Sequence, residues 1–244
     1  MLRAGLIHSL ASRPQTWHST AMDSDGYEIE THVGRRRAMR YHFWIDHEIL
    51  RYPWTNFDEI APGVFRSNHP TRARFKAYAE RGIKTILTLR GGEDRPHHLL
   101  EVEACRDFGL TFECVPMSAR HAPTVAQLSA VFEVLDRIER PFLIHCKSGA
   151  DRTGLVSAIY LMHYENIPFD QARVQLSFRY IHIRRSQTGI LDVFLEAFAA
   201  RHAETGIGIR DWIMTEYDEA ALTASFDQRQ RNLWPWEGWR SGVS

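Results

Sequence analysis

Two apolar rhythms alternate along this chain from about residue 63 onward. Thr85-Ile86-Leu87-Thr88-Leu89 and Phe142-Leu143-Ile144 are short continuous apolar runs, the pattern of strands covered on both faces. Gly63–Ser67 and Thr111–Val115 read as two further short strands. The stretches between them follow helical spacing. Thr71 stands near the start of a helix over Thr71–Arg81, and Gly82 ends it. A second helix covers His98–Phe108, with Leu99, Leu100, Val102 and Phe108 apolar and Gly109 at its end. A third opens at Thr124, where Gln127 three residues on completes a capping-box pattern. Its apolar face is Leu128, Val131, Phe132, Leu135 and Ile138, and Pro141 stops it. Beyond the strand at 142, an apolar helix takes in Leu155 to Met162. Phe169–Phe178, Gly189–Arg201 and Asp211–Ala224 read as three more helices.

Strands alternating with helices predict an α/β fold with a mainly parallel central sheet flanked by helices. In such sheets ligands sit beyond the carboxyl ends of the strands. That rule gathers the loops over 90–96, 117–123 and 146–152 and brings Arg90, Arg95, Arg120 and His121 near one another. Residues 1–40 read as an irregular N-terminal extension, with Arg35-Arg36-Arg37 as a solvated patch. Residues 41–205 form the domain, and its aromatic lead-in of Tyr41, Phe43, Trp44, Tyr52 and Trp54 packs on it. Residues 206–244 form a C-terminal extension, helical and then rich in tryptophan at Trp234, Trp236 and Trp239.

Composition narrows the possibilities without choosing among them. The chain has 244 residues, 44% hydrophobic and 25% charged, with 30 basic and 30 acidic side chains. Balanced charge gives no global argument for nucleic acid or a membrane surface. No apolar run is long enough for a transmembrane helix. Three cysteines are too few for a disulfide scaffold and fit a reducing, cytoplasmic setting. Met1–Ala21 carries Arg3 and Arg13 and no acid, a composition shared by organellar import segments and plain tails.

The candidate chemistry lies at His145-Cys146-Lys147-Ser148-Gly149-Ala150-Asp151-Arg152-Thr153-Gly154. Strand, tight glycine-containing loop and helix N-terminus form an anion-binding geometry, because loop amides and the helix dipole favour negative charge there. Cys146 opens the loop and Arg152 closes it, with five residues between them. Arginine presents a planar fork that matches two phosphate oxygens. A cysteine in that field loses its proton readily and becomes a nucleophile. Cys105 and Cys114 sit in apolar periodic segments and read as core residues, with a reversible disulfide to Cys146 as the alternative.

His145-Cys146-x-x-Gly149-x-x-Arg152-Thr153-Gly154 resembles the signature of the cysteine-dependent protein tyrosine and dual-specificity phosphatases. Gly63-Val64-Phe65-Arg66-Ser67 and Gly82 to Arg90 resemble the front half of bacterial and atypical dual-specificity members. The resemblance implies a protein tyrosine phosphatase-like fold from about Trp54 to about Ala203. It implies a phosphate monoesterase that works through a phosphocysteine, with no metal or organic cofactor. The substrate would be a phosphoprotein (Tyr, Ser or Thr) or a phosphoinositide or inositol phosphate. Cys146 would be the nucleophile and Arg152 the phosphoryl clamp. Residues 146–152 (Cys146, Lys147, Ser148, Gly149, Ala150, Asp151, Arg152) would form the cradle. Thr153 would help the sulfur leave, and His145 would orient the loop.

The chain departs from the family at the general acid. The family commonly places an aspartate in the loop before the helix that precedes the cysteine strand. Here that loop, 117–123, has no carboxylate. Asp151, inside the cradle, and His121 are the two candidates. His121, Arg120 and Arg90 are second-loop contributors. Lys147 either meets an additional phosphate or faces solvent. Two rival readings remain: a catalytically weak phosphate-binding pseudophosphatase, favoured by the missing loop aspartate, and a sulfur-transfer or arsenate-reducing enzyme.

Overall fold

The computed structural model describes residues 29–46, 48–51 and 53–233. Tyr52 and the tryptophans at 234, 236 and 239 lie outside them. Among the described residues the centre is a five-stranded sheet in the order β1-β2-β5-β3-β4. Its strands are β1 (Asp58–Ala61), β2 (Val64–Ser67), β3 (Thr85–Thr88), β4 (Thr111–Cys114) and β5 (Phe142–His145). β1 pairs antiparallel with β2, and every other pairing is parallel. The mainly parallel α/β sheet predicted from the pattern is present, with β1 as an added antiparallel edge.

Alternate strand positions serve opposite faces, so neighbours on β3 and β5 split between two cores. Ile86 and Leu143 join Phe75, Tyr78, Ala104 and Cys105 beneath α2 (Arg72–Glu80) and α3 (Pro96–Asp107). Leu87 and Ile144 join the larger core under α4 (Val125–Arg137) and α5 (Asp151–Tyr164). The capping box at α4 forms as predicted: Gln127 N donates to Thr124 Oγ1 and Thr124 N donates to Gln127 Oε1.

Three expectations are corrected. Residues 32–40 are not irregular. They form α1 (His32–Arg40), capped by Thr31 Oγ1 and followed by a π-helical turn over Tyr41–Ile45. Polar sequence obscured the helix, whose Arg35 is held by Glu103 of α3 at 2.6 Å. The aromatic lead-in does not pack uniformly: His42 is buried, while Trp44 stays 61% exposed. The helix expected over Phe169–Phe178 is broken. It forms α6 (Phe169–Ala172) and then short 3-10 turns, which bend the chain back toward the sheet end.

The C-terminal helices also differ from the expected single segment. Beyond α7 (Ile190–Thr205) come α8 (Ile209–Thr215) and α9 (Glu219–Leu233). Their Ile209, Trp212, Ile213, Tyr217, Leu222 and Phe226 belong to the larger core, so this stretch is continuous with the domain. Tyr217 donates its hydroxyl to the Pro123 carbonyl at 2.9 Å, tying it to the loop before α4. No helix among the described residues is long and apolar enough to cross a membrane.

Trp212 packs its ring against Phe194, Phe198 and Tyr217 with centroids 5.2–5.7 Å away. Trp212→Ala is expected to remove ~3–5 kcal/mol of stability, the range for deleting a buried aromatic. Denaturant unfolding reads this as a lower midpoint at unchanged slope. A loss below about 1 kcal/mol, in the range of a surface change, would show that α8 is not part of the core.

Candidate active site

Register fixes where the loop begins. His145 at the end of β5 stands opposite Ser67 of β2 and Thr88 of β3. Three strands therefore stop in one row, and the chain turns into the cradle from its middle. The Cys146 thiol is buried at the loop's start. α5 begins at Asp151, and its first amides have no intrahelical acceptor, so they face the loop. Gly149 is required twice over. Its φ is +71°, and a Cβ there would lie 2.6 Å from Asn68 N and Ser67 O.

Opposing forces act on the thiol. Burial pushes its pKa up, but the Arg152 charge and the hydroxyl and amide of Thr153 bring it below the ordinary cysteine value. Thr153 Oγ1 is buried with no other hydrogen-bond partner, which leaves it to the sulfur. Arg152 is anchored on one side, where Nη1 donates to the Leu89 carbonyl at 3.1 Å and the Met117 carbonyl at 3.2 Å. Its buried Nε has no partner, so the opposite edge of the fork is left for an oxyanion. Those carbonyls stand at Leu89, just after β3, and at Met117, where the loop over 117–123 begins, so Arg152 ties the cradle to both neighbouring segments.

Behind the loop His145 serves as an anchor. Its Nδ1–H donates to the Cys146 carbonyl at 3.3 Å, and Nε2 is hydrogen-bonded to Glu101 Oε1 at 2.5 Å. Glu101 is itself buried, with His69 Nδ1 3.6 Å from its other oxygen. His69, Glu101 and His145 present ligand atoms within 4.8 Å of one another, a two-histidine, one-carboxylate set that a metal ion would accept. Two features weigh against that use. The short bond between His145 and Glu101 occupies one carboxylate oxygen, and the positive charges of Arg90 and Arg51 act on the same pocket and oppose a cation.

Asp46, from the turn after the π-helix, gathers the nearby cations. Its carboxylate lies 2.8 Å from Arg90, 2.9 Å from Arg51, 3.3 Å from Lys147 Nζ and 3.4 Å from His42. Burial pushes its pKa up, but hydrogen bonds from His42 and Arg90 and the two arginine charges hold it well below the carboxylate range. The expected role of Arg90 as a free second-loop cation is corrected here: its fork is spent on Asp46. Lys147 reaches the same carboxylate, though its side chain remains 42% exposed.

Asp151 is engaged on its other side. Its Oδ1 accepts from His182 Nδ1 at 2.7 Å, and His182 Nε2 donates to Asp192 Oδ2 at 2.7 Å. Of the remaining candidates, His121 is exposed and bonded to Ser118 Oγ at 2.8 Å, and Arg120 stands beside it. Ser148 Oγ accepts from the Ala150 amide and stiffens the turn. Cys105 is a buried residue of α3 in the core on the sheet face opposite Cys146. Cys114 stands two strands from β5, about 10 Å away at the normal strand spacing, farther than a disulfide spans. Burial raises both thiols, Cys114 to about 12, which separates them from Cys146.

Four contributors escaped the sequence: Asp46, Glu101, His182 and Asp192. Glu101 and Asp192 left one trace, a carboxylate with an apolar residue on each side, Leu100 and Val102 or Leu191 and Val193. A cavity of about 710 Å³ lies between α1, α2 and α3 over His69 and Glu101, and no residue of the cradle lines it.

Residues 61–166 match a family model described as "Tc-R-P: Polymorphic toxin system, DSP-PTPase phosphatase". The inositol diphosphatase DSP2 of rice, Oryza sativa subsp. japonica, is 27% identical over 115 residues, 46% of this chain and 56% of that protein. The inositol diphosphatase SIW14 of Saccharomyces cerevisiae is 29% identical over 140 residues, 54% of this chain and 48% of that protein. The chain spans about half the length of the curated relatives it matches. The solved core catalytic domain of yeast SIW14 superposes with a TM-score of 0.47 at 23% identity, covering 62% of this chain and 92% of that one.

Replacing Asp46 by Asn would leave Arg51 and Arg90 buried without a counter-charge, a change that typically removes ~3–5 kcal/mol. The acid behaviour follows from the sign of the shift. A carboxylate with a depressed folded pKa adds stability that is present above its unfolded value, about 3.9, and lost as pH falls below it. The parent should therefore lose stability steeply below about pH 5. Asp46→Asn should show a shallower acid limb in urea midpoints across that range; parallel limbs would refute the assignment.

Proposed function

Because the chain belongs to the superfamily of cysteine-dependent protein tyrosine and dual-specificity phosphatases, we propose that it hydrolyses phosphate esters through a phosphocysteine intermediate. The observation that carries this reading is the thiol of Cys146: it is held below its ordinary pKa, facing the unpartnered edge of Arg152, among the free amides of α5. The thiolate attacks phosphorus while the bond to the leaving oxygen breaks. Arg152 and the amides take up the charge of the phosphoryl oxygens in the transition state. Water then cleaves the sulfur–phosphorus bond, and Thr153 stabilises the departing thiolate.

Polyphosphorylated inositol-type anions are the substrate class we favour. The matched relatives are named inositol diphosphatases, and exposed Arg120 and half-exposed Lys147 offer charge around the cradle. We place the reaction in the cytoplasm, where a reducing medium keeps the nucleophilic thiol free. Asp151 is our general acid, since it is part of the cradle and its charge acts on the Cys146 sulfur.

Cys146→Ser should abolish turnover and retain phosphate binding by calorimetry. Parent-like release of phosphate from inositol polyphosphates would sink the nucleophile, and release from phosphopeptides alone would move the substrate class to phosphoprotein. Weak turnover of every ester by the parent protein, with tight phosphate binding, would favour the pseudophosphatase reading.

Asp151→Asn should slow esters with a high-pKa leaving group by ~10²–10⁴-fold, the usual contribution of a general acid. An activated nitrophenyl phosphate should lose far less. If His121→Ala produces this selectivity instead, the acid belongs to the loop over 117–123.

A further inference from the structure

His182 is a buried titratable group that the reaction described above does not use. It follows a 3-10 turn over Phe178–Tyr180, and the residue between, Ile181, has φ +64°. A β-branched residue in the left-handed region is strained by ~1–3 kcal/mol. Packing does not offset this, because the Ile181 side chain is 47% exposed. The result of the strain is that His182 turns inward between Asp151 of α5 and Asp192 of α7.

Three independent ties hold this turn against the cradle. Asn56 Nδ2 donates to the Ser148 carbonyl at 2.9 Å and to the Tyr180 carbonyl at 2.8 Å. Buried Arg66 donates to the carbonyls of Gly149 and Gln175 and stacks 3.5 Å over the Tyr180 ring. The third tie is His182 itself. A turn needed only to close the fold requires no buried imidazole between two carboxylates.

We propose that His182 is a positioning residue for phosphoryl transfer, aiming Asp151 at the leaving oxygen and storing the proton that Asp151 delivers. The inference rests on Asp151 as the general acid. Both ring nitrogens donate to carboxylate oxygens, so the imidazole is doubly protonated in the resting site. In the first step the bond from phosphorus to the leaving oxygen breaks, and the carboxylate of Asp151 takes the proton of His182 Nδ1 and passes it to that oxygen. This leaves Asp151 ionised and a neutral ring still bonded to Asp192 through Nε2–H. In the second step water attacks the phosphocysteine. Its proton returns through Asp151 to His182, and the thiolate is released with phosphate.

The charged groups facing His182 are Asp151 and Asp192. Nearby Arg179 turns away to Asp58, and Arg184 to Glu196. Burial lowers the ring's pKa, but hydrogen bonds and charge from the two aspartates outweigh it and raise the value to about 9. With the ring's pKa raised to about 9, the stored proton is present through neutral pH and is lost as pH rises through about 9. An isolated carboxyl acid would lose its proton far lower.

The test compares full-length parent, Asp151→Asn, His182→Gln and Asp192→Asn on an alkyl phosphate and on nitrophenyl phosphate across pH. For the parent, kcat on the alkyl ester should hold to about pH 9 and then fall. Asp192→Asn keeps Asp151 and His182 but removes one charge, so this limb should move to lower pH. His182→Gln should slow the alkyl ester at least tenfold more than the nitrophenyl ester. Equal losses on both esters, or an unmoved limb in Asp192→Asn, would overturn the proposal. If Asp151→Asn discriminates leaving groups and His182→Gln does not, only the role of His182 fails. If Asp151→Asn does not discriminate, the acid assignment itself fails. Should the glutamine variant misfold, nitrogen NMR of the parent imidazole at neutral pH decides: two protonated nitrogens support the store, and one refutes it.

Discussion

The pairing of β5 with a parallel strand on each side governs the rest of the site. β2 and β3 fix the height at which β5 ends, so His145, Ser67 and Thr88 share one row. The chain leaves that row with its backbone amides unpaired and its next residue a thiol. Amides at a helix start make a poor site for an apolar group and a good one for an anion. The chemistry is therefore set by where hydrogen bonding between strands stops.

A loop that presents unpaired donors is costly to hold open, and the surroundings show how it is held. Ties come from every side. Arg66 takes the carbonyl of Gly149, Asn56 that of Ser148, and His145 that of Cys146, while the His69 amide donates to the carbonyl of Lys147. These contacts use the outward carbonyls rather than the cradle amides, of which that of Ala150 is held by Ser148 Oγ. The same division appears in Arg152, anchored at Nη1 and open along its other edge. Buried polar partners reinforce one another where water is excluded, and such a cradle needs little rearrangement to receive a phosphate.

Sequence disclosed the parts whose logic is local. The cradle signature occupies consecutive residues, and the Thr124–Gln127 cap and the apolar strands are read within a few positions. The α/β alternation followed from the same signals. The parts it hid are joined over distance: Asp46 meets Arg90 across 44 positions, Glu101 meets His145 across 44, and Asp151 meets His182 across 31. No periodicity announces such pairs. Arg90 illustrates the limit, since topology brought it to the correct end of the sheet but gave no sign of the carboxylate that neutralises it. The broken helix after α6 is a further case: its helical composition yielded to the tertiary ties that draw Tyr180 onto Arg66.

Asp46 lies upstream of the stretch that carries the phosphatase signature, and Asp192 lies downstream of it. The matched segment, residues 61–166, contains the nucleophile, the clamp and the cradle, yet neither of these counter-ions. The inherited unit and the working unit thus have different edges. Grafting the shared segment alone into another protein would transfer the cradle signature, with Arg90 and Lys147 missing the carboxylate that balances them here.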